Sequence, residues 1–350
     1  MKKYYSLYEK LKNLIISGEY KAGQKLPSKR VMADMTGYSQ ITVMNAYGIL
    51  EEEGYVNAIE KRGYFVDDIN AQKIMPKKPV LIEKLSEEEG EIDGNFEYSL
   101  WFKTVRKVIA ERGVKLFVKS PNEGLAVLRN SISDYLLRYR GMIAPPERII
   151  IGSGSEQLYE TAVKLLGRDK VFGIEEPSYK QIEKVYIEEG VKIVKLKMGK
   201  NGIESEFLKS GDFNVLHVTP FSSYPSGVTA SIKKRYEYLN WVDKKDGYII
   251  EDDFKSEFFK PGNPIQPLYS LSDKQKVIYI NTFSKSISPS MRIGYMILPE
   301  NLLSIYKERL GGFSCSVPVL DQYVLAEFIS SGSFERHLNR VRRKMNKEKQ

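Results

Sequence analysis

The residue of this chain best suited to covalent chemistry is a lysine that stands between two apolar runs. Lys285 follows the strand-like run at residues 277–280, and a second run occupies residues 294–298. A pocket that removes a lysine from water lowers the pKa of its ammonium group, because burial disfavours the charged form. The neutral amine is then a nucleophile towards carbonyl groups. A solvated loop lysine is the alternative interpretation of the same residue.

The neighbours of this lysine suit a phosphate group. Ser284 and Ser286 offer hydroxyl donors, and Arg292 offers a fixed positive charge with paired N–H donors. An amine beside an anion site suits an aldehyde that carries a phosphate. Pyridoxal 5′-phosphate is the common compound of that kind, and it is the ligand that we predict.

A glycine-serine turn offers a second place for an anion. Ser153, Gly154 and Ser155 follow the predicted strand at residues 148–151 and precede a predicted helix. Their backbone N–H groups would lie at the positive end of that helix, where anions bind. By itself such a turn is weak evidence for a phosphate site.

Two more candidate side chains follow predicted strands. Tyr179 offers a ring that can stack on a ligand, and Asp252 offers a carboxylate. Taken alone, Tyr179 fits packing better than ligand binding. Ligands of open α/β sheets bind beyond the carboxyl ends of the strands. We therefore expect Ser153, Tyr179, Asp252 and Lys285 to lie close together.

The elements that must position these groups alternate between helix and strand from residue 96 onward. Such alternation is typical of an α/β fold with a mostly parallel sheet and helices on both faces. Helices are predicted at residues 101–110, 124–140 and 156–166, and strands at residues 148–151, 171–174, 215–218, 248–250, 277–280 and 294–298.

The N-terminal residues predict a different arrangement. Apolar residues recur at helical spacing over residues 4–17. Ser28 can cap a second helix and Ser39 a third, with Gly37 in the turn between them, which is the helix-turn-helix arrangement. Residues 54–66 then predict a β-hairpin with basic residues at its tip.

This segment resembles the winged helix-turn-helix of GntR-type bacterial regulators. The resemblance is carried by residues 26–30, the turn at Gly37, residues 42–43, residues 50–54 and residues 62–66. It implies a recognition helix in the major groove of DNA, beginning near Gln40, where relatives usually carry arginine. Contacts to base edges or phosphates are implied for Ser39, Gln40, Thr42 and Asn45, and backbone or minor-groove contacts for Lys29, Arg30, Lys61 and Arg62.

The composition limits which partners, metal sites and cellular locations we expect for this chain. The formal net charge of +9 at pH 7 is compatible with a nucleic-acid partner but does not require one. Cys315 is the only cysteine and the chain has two histidines, so we expect no disulfide within the chain, a reducing cytoplasm and no zinc site. No apolar run approaches the roughly 20 residues of a membrane span. The first residues lack the apolar stretch of a signal peptide.

The second region resembles the fold-type I aminotransferase domain of MocR-type regulators, which join a GntR-type winged helix to a domain that binds pyridoxal 5′-phosphate. By that resemblance Lys285 carries the cofactor covalently and Asp252 pairs with its ring nitrogen. Tyr179 is implied to stack on the ring. The implied phosphate ligands are Arg292, Ser284, Ser153, Gly154 and Ser155.

The order of the two resemblances predicts three segments. Residues 1–67 would form the DNA-binding domain, residues 68–93 a linker rich in Lys, Glu and Pro, and residues 94–350 the cofactor-binding domain. We expect this last domain to be truncated, without the small C-terminal domain in which the family holds an arginine for a carboxylate.

The sequence departs from the family pattern at two places near the cofactor. Phe254 stands where the family usually has a tyrosine that bonds the phenolic oxygen, and Ser222 stands at the usual histidine position. Loss of one such hydrogen bond costs about 1 kcal/mol. His217 lies earlier on its strand and is predicted to be a core residue.

The function that we expect is transcriptional regulation by a homodimer that binds operator DNA. Pyridoxal 5′-phosphate on Lys285 would act as the signal, or would capture a small amino compound as effector. Two alternatives stay open: an active aminotransferase with a DNA-binding appendage, and a degenerate regulator that no longer binds the cofactor.

Overall fold

The computed structural model describes residues 3–68, 96, 98–258 and 266–347 of the 350-residue chain. The chain divides into two compact units, Met1–Gly90 and Glu91–Gln350. Almost all of the predicted linker at residues 68–93 lies outside the described residues.

The first unit is a three-helix cluster followed by a hairpin. Its elements are α1 (Lys3–Ile16), α2 (Lys29–Thr36), α3 (Gln40–Glu52), β1 (Val56–Ile59) and β2 (Gly63–Val66). The strands β1 and β2 pair antiparallel, as the sequence predicts. The apolar faces of all five elements meet in one core, which includes Leu7, Leu11, Met32, Val43, Tyr47, Leu50, Val56 and Val66.

Local hydrogen bonds fix the helix-turn-helix. The Ser28 Oγ accepts from the Val31 N–H at 3.3 Å, and the Ser39 Oγ accepts from the Thr42 N–H at 3.2 Å. Both predicted caps are therefore confirmed. Gly37 ends α2 in the left-handed conformation, with φ of 72°, which glycine adopts without a steric penalty.

The second unit alternates helices with strands. Its helices are α4 (Tyr98–Arg112), α5 (Ala126–Arg140), α6 (Ser155–Leu166), α7 (Lys180–Glu188), α8 (Ser205–Ser210), α9 (Ile232–Lys245), α10 (Leu268–Leu271), α11 (Glu300–Leu310), α12 (Val319–Ser330) and α13 (Ser333–Lys347). Its strands are β3 (Ile149–Gly152), β4 (Val171–Glu176), β5 (Lys192–Gly199), β6 (Gly202–Ile203), β7 (Val215–Val218), β8 (Tyr248–Asp252), β9 (Val277–Thr282) and β10 (Gly294–Ile297).

The eight strands form one sheet in the order β3, β10, β9, β8, β7, β4, β5, β6. The five central neighbours from β9 to β5 run parallel. The strand β10 is antiparallel to both of its neighbours, and β6 is antiparallel to β5. The predicted α/β class with a mostly parallel sheet is confirmed.

Helices cover both faces of this sheet. Along β3, Ile149 and Ile151 pack in a core with α5, α12 and α13, whereas Ile150 packs in a second core with α6, α7 and α11. A strand buried on both faces needs apolar residues at every position, which explains the continuous apolar runs in the sequence.

This topology brings the carboxyl ends of β3, β4, β7, β8 and β9 to one edge of the sheet, because these strands point the same way. The loops that follow them carry the predicted site residues. Among the described helices, none is both long enough and apolar enough to cross a membrane.

Candidate functional site

One cavity lies at the carboxyl edge of the sheet. Its volume is about 360 Å³, within the range of small-molecule sites. It brings together six of the eight predicted cofactor residues: Ser155, Tyr179, Asp252, Ser284, Lys285 and Arg292. It is also lined by Glu156, Tyr159, Thr219, Tyr224, Phe254, Lys255 and Thr282.

The other two predicted cofactor residues do not line this cavity. Ser153 uses both its backbone N–H and its hydroxyl to bond Gln157 Oε1, at 2.6 and 3.1 Å. Gly154 instead makes room for a side chain that does line the cavity. A Cβ at Gly154 would lie 2.6 Å from Arg292 Nη2, and its φ of 100° also favours glycine.

Lys285 reaches the cavity from the loop after β9, and its side chain is exposed. The protein alone therefore does not take this amine out of water, and only a ligand that fills the cavity would do so. A second amine, Lys255, lines the same cavity after β8. Burial, together with the positive charge of Lys285, lowers the pKa of Lys255.

Asp252 lies at the end of β8 and is buried. Its Oδ2 accepts a short hydrogen bond from the Tyr159 hydroxyl, and its Oδ1 has no hydrogen-bond partner among the described residues. Burial, which outweighs the bond from Tyr159, raises the pKa of Asp252 to about 7. A buried carboxyl with one unpaired oxygen suits a ligand that presents a protonated ring nitrogen.

A histidine lies behind this aspartate. His217 Nε2 is 4.0 Å from Asp252 Oδ2, and His217 Nδ1 bonds the Tyr186 hydroxyl at 2.6 Å. Burial lowers the pKa of His217 to about 3, so the ring is neutral and forms no ion pair with Asp252. His217 is buried in the core, as predicted.

Arg292 lies against the first turn of α6. Its Nη2 is 2.5 Å from Glu156 Oε2. Burial opposes ionisation of Glu156, but its own backbone N–H and the Arg292 guanidinium outweigh that effect and lower its pKa. The predicted phosphate arginine is therefore already paired with a carboxylate.

The aromatic residues line the open side of the cavity. Tyr179 is 39% exposed and meets Tyr224 edge-on, with ring centroids 6.1 Å apart. The Lys255 ammonium is 5.3 Å from the centroid of Phe254, which offers the cavity no hydroxyl. Ser222 does not line the cavity, and its backbone N–H donates to Thr229 Oγ1 at 3.1 Å.

The residues present fit pyridoxal 5′-phosphate. Lys285 supplies an amine for the aldehyde, and Asp252 Oδ1 is an unpaired buried acceptor for the ring N–H. Arg292 and the N-terminus of α6 supply positive charge for the phosphate. Among the described residues, no group of three or more histidine, cysteine, aspartate or glutamate side chains is arranged to hold a metal ion.

Sequence reasoning missed several cavity residues, of which Glu156, Tyr159 and Lys255 carry chemistry. The first two lie on α6 immediately after the predicted turn, and Lys255 follows Asp252 by three positions. Their closeness to predicted site residues was the available signal. Helical spacing would also have placed Tyr159 one turn after Ser155.

The helix-turn-helix presents a polar face to solvent. Ser39, Gln40 and Asn45 are exposed at the start of α3 and along it. Thr42 is half-buried, and its hydroxyl lies 2.9 Å from that of Ser39. Two apolar residues missed by the sequence analysis share this exposed surface: Ile41, 67% exposed, and Met44, 45% exposed.

The predicted backbone contacts lie on α2 and on the hairpin. Arg30, Lys61 and Arg62 are exposed, and Lys61 has φ of 60° at the hairpin tip. The Arg62 guanidinium lies 5.7 Å from the centroid of the Phe65 ring. Lys29 is half-buried, with its ammonium 5.4 Å from the Tyr64 ring centroid.

Two known families match this chain, one over each of its two units. The description "Bacterial regulatory proteins, gntR family" matches residues 3–66, and "Aminotransferase class I and II" matches residues 90–350. GntR-type helix-turn-helix regulators bind operator DNA, and the aminotransferase fold implies dependence on pyridoxal 5′-phosphate in that family.

A solved archaeal alanine:glyoxylate aminotransferase has a similar fold. The TM-score is 0.63 at 24% identity, and the match covers 69% of this chain and 62% of the enzyme. At that identity the likeness shows the fold alone. This chain spans less than two thirds of the length of that enzyme.

Regulators resemble the chain over almost its whole length. The uncharacterized HTH-type transcriptional regulator YdeL of Bacillus subtilis is 32% identical, over 99% of this chain and 77% of the relative. The pyridoxine biosynthesis transcriptional regulator PdxR of Corynebacterium glutamicum is 29% identical, over 96% of this chain and 75% of the relative. The probable rhizopine catabolism regulatory protein MocR of Rhizobium meliloti is 28% identical, over 96% of this chain and 73% of the relative. The chain thus belongs to the MocR-type family of GntR transcriptional regulators, in which a helix-turn-helix domain precedes an aminotransferase-like domain.

Proposed function

We propose that this regulator binds pyridoxal 5′-phosphate in the cavity at the carboxyl edge of its sheet, with Lys285 as the covalent attachment point. In this proposal α3 and the hairpin bind operator DNA, and the protein acts as a homodimer. The cavity is occupied by the cofactor alone or by the cofactor with a small amino compound. This occupancy changes the affinity of the protein for operator DNA.

The observation that carries this proposal is the convergence of three unlike groups on one cavity. Asp252 ends β8, whereas Lys285 and Arg292 lie seven positions apart in the connection between β9 and β10, yet all three line the cavity. An amine, a buried carboxylate and a guanidinium match the aldehyde, the ring nitrogen and the phosphate of the cofactor, respectively. A cavity with a purely structural origin has no need for all three.

Each group has a distinct task in the proposal. Arg292 and the backbone N–H groups at the start of α6 bind phosphate, and the Tyr179 ring covers one face of the ligand. Asp252 accepts the hydrogen bond of the protonated ring nitrogen, and Tyr159 orients Asp252 by bonding its other oxygen. The bound cofactor supplies an aldehyde that captures amines and a ring that withdraws electrons.

Ligand binding in the cavity can affect DNA binding only through a free-energy difference between two conformational states of the protein. A ligand shifts operator binding only if it binds one state of the protein more tightly than the other. One relative, PdxR, is named for pyridoxine biosynthesis, which supports the cofactor itself as a signal. The name of MocR refers to rhizopine catabolism, which supports a small organic effector.

The proposal is tested by the colour of the purified full chain. We expect an absorbance band of bound cofactor near the visible range, which borohydride removes by fixing the adduct. Peptide mass spectrometry should then locate the adduct on Lys285. An adduct on Lys255, the other amine of the cavity, would contradict the assignment.

Two variants complete this test. Lys285→Ala should lose both the band and the ligand response of operator binding. Lys274→Ala is the matched control, because Lys274 is paired with Asp243 at 3.3 Å and does not line the cavity. A colourless protein that ignores added pyridoxal 5′-phosphate would leave the alternative of a regulator without cofactor.

The same cavity supports a second candidate function, residual transamination. It retains the lysine, the carboxylate and the arginine, while Phe254 supplies no hydroxyl to control protons. A screen of amino donors with excess 2-oxo acid distinguishes the two. Steady turnover would favour an enzyme, and a single stoichiometric conversion or none would favour a sensor.

A further inference from the structure

The cavity holds an anion of its own at the place proposed for the phosphate. The Glu156 carboxylate lies 2.5 Å from Arg292 Nη2, and both side chains line the cavity beside Ser155 and Lys285. Glu156 stands in the first turn of α6, where the helix dipole also favours a negative charge. The guanidinium proposed for the phosphate thus already has a carboxylate partner.

The backbone holds Arg292 at this position. Gly154 leaves only enough room for the guanidinium, because an added Cβ would lie 2.6 Å from Nη2 and 2.9 Å from Cζ. Arg292 itself has φ of 46°, in the left-handed region that few non-glycine residues adopt. Gly154, in the turn before α6, therefore leaves room for the guanidinium beside Glu156 in the first turn of that helix.

A phosphate group must compete with this carboxylate. A phosphate monoester carries about −1.5 to −2 charges at neutral pH, and Glu156 is ionised there because its pKa is lowered. Two anions on one guanidinium repel each other, so phosphate binding displaces Glu156 or shares Arg292 with it. Both side chains are partly exposed, at 52% for Arg292 and 33% for Glu156, so the solvent screens the repulsion in part.

We propose that Glu156 sets the affinity of this cavity for phosphate-bearing ligands by occupying Arg292 until a phosphate displaces it. This inference rests on the proposed binding of pyridoxal 5′-phosphate and names the residue that tunes it. Its consequence is weak, reversible binding. The occupancy of the cavity then follows the concentration of the ligand, as a sensor requires and a permanently loaded enzyme does not.

The test is a substitution that keeps the shape of the side chain and removes its charge. Glu156→Gln, freed of cofactor, is titrated with pyridoxal 5′-phosphate and with pyridoxal, which has the same aldehyde and ring but no phosphate. We expect tighter binding of the phosphorylated compound, on the order of fivefold, and unchanged binding of pyridoxal.

The matched control is Glu160→Gln. Glu160 lies one turn further along α6, is paired with Lys164 at 3.3 Å, and does not line the cavity. Its substitution should change neither titration. Equal affinity of the wild type and Glu156→Gln for pyridoxal 5′-phosphate would overturn the inference, as would an equal gain for pyridoxal.

A second measurement separates this inference from the proposed function. If neither protein forms a Lys285 adduct, the proposed cofactor function fails. Thermal unfolding with added inorganic phosphate then decides the role of Glu156. A larger upward shift of Tm for Glu156→Gln than for the wild type supports it, and equal shifts overturn it.

Discussion

At the scale of single residues, Asp252 of the site is one of several carboxyl groups that the fold keeps away from water. Burial raises the pKa of Asp252 and of Glu251 to about 7, and that of Glu175 to about 8. Each group keeps its proton in the folded state at a pH where the unfolded chain has lost it. These protons make the folding stability depend on pH.

We expect the free energy of unfolding of the cofactor-free protein to fall as the pH rises from about 4 to about 7. The folded state keeps the protons of these three carboxyl groups in this window, and they outnumber the one proton that His217 binds only in the unfolded state, so raising the pH favours unfolding. Asp252 alone contributes a slope of about 1 kcal/mol per pH unit. Chemical denaturation at about pH 5 and about pH 7 measures it.

Asp252→Asn should reduce that dependence by about 1 kcal/mol per pH unit, because the amide does not ionise while Glu251 and Glu175 still do. The control is Asp243→Asn, since Asp243 is an exposed residue of α9 paired with Lys274. An unchanged slope in Asp252→Asn would show that Asp252 is ionised in the folded protein.

Gly154 offers a second prediction at this scale. Gly154→Ala places a Cβ against Arg292 and forces an L-residue to φ of 100°. We expect a loss of about 1–3 kcal/mol in the free energy of unfolding and a clear loss of pyridoxal 5′-phosphate affinity. Denaturation curves and cofactor titrations measure the two effects.

The matched control for this substitution is Gly190→Ala. Gly190 has φ of 77° with no atom within 4 Å of an added Cβ, and it does not line the cavity. It should lose stability without losing cofactor affinity. Normal affinity in Gly154→Ala would mean that Arg292 is not held by this turn.

At the scale of elements, the helix-turn-helix separates the groups that can distinguish bases from those that can hold the DNA backbone. The exposed surface of α3 carries Gln40 and Asn45 beside the apolar Ile41 and Met44. Amide side chains suit adenine, and apolar groups suit the thymine methyl. The hairpin tip carries charge instead, which suits phosphates.

We therefore predict different effects from substitutions in the two elements. Gln40→Ala should cost about 1–3 kcal/mol on the preferred sequence and relax selectivity at one position. Arg62→Ala should weaken binding to all sequences and reduce the salt dependence by about one phosphate contact. Selection from a random duplex library, followed by titration at several salt concentrations, tests both.

The control for both substitutions is Lys170→Ala, which replaces a partly exposed lysine of the second unit that is paired with Asp169. It should change neither selectivity nor salt dependence. The assignment of α3 as the reading element fails if Gln40→Ala weakens all sequences equally.

The last described helix supports the loop that carries Lys285. His337 Nε2 on α13 donates to the backbone carbonyl of Ser286 at 2.7 Å, immediately after Lys285. Arg342 Nε on the same helix donates to the carbonyl of Glu257 at 2.6 Å. The loops after β8 and β9 are thus both held by α13.

At the scale of the whole molecule, two units that match different families lie in one chain. Regulation requires that binding to one unit changes the free energy of binding to the other. Thermodynamic linkage makes such coupling reciprocal. If pyridoxal 5′-phosphate changes operator affinity by some factor, the operator must change cofactor affinity by the same factor.

In the full chain we expect the factor for operator affinity and the factor for cofactor affinity to be equal, with a value of about 5 to 150. Cofactor titrations with and without operator duplex, and operator titrations with and without cofactor, measure the two factors. Lys285→Ala should bind operator with neither dependence. A factor of one in both directions would mean that the cavity and the DNA-binding unit act independently.

Much of this architecture is readable from the sequence because it depends on local patterns. Ser28 and Ser39 cap helices within their own turns, and the apolar runs of β3 and β9 predict strands buried on both faces. The strand β5 was not predicted, because its lysines interrupt any apolar run near the edge of the sheet.

The sequence by itself determined which residues stand at the ends of strands, and so where the ligand groups of an α/β sheet would gather. Only the tertiary structure decided how those groups are paired. Glu156 meets Arg292 across 136 positions, and Tyr159 meets Asp252 across 93. Such pairs have no local signature, because the packing of α6 against one face of the sheet creates them. The charge state and the availability of each predicted site residue depend on these contacts.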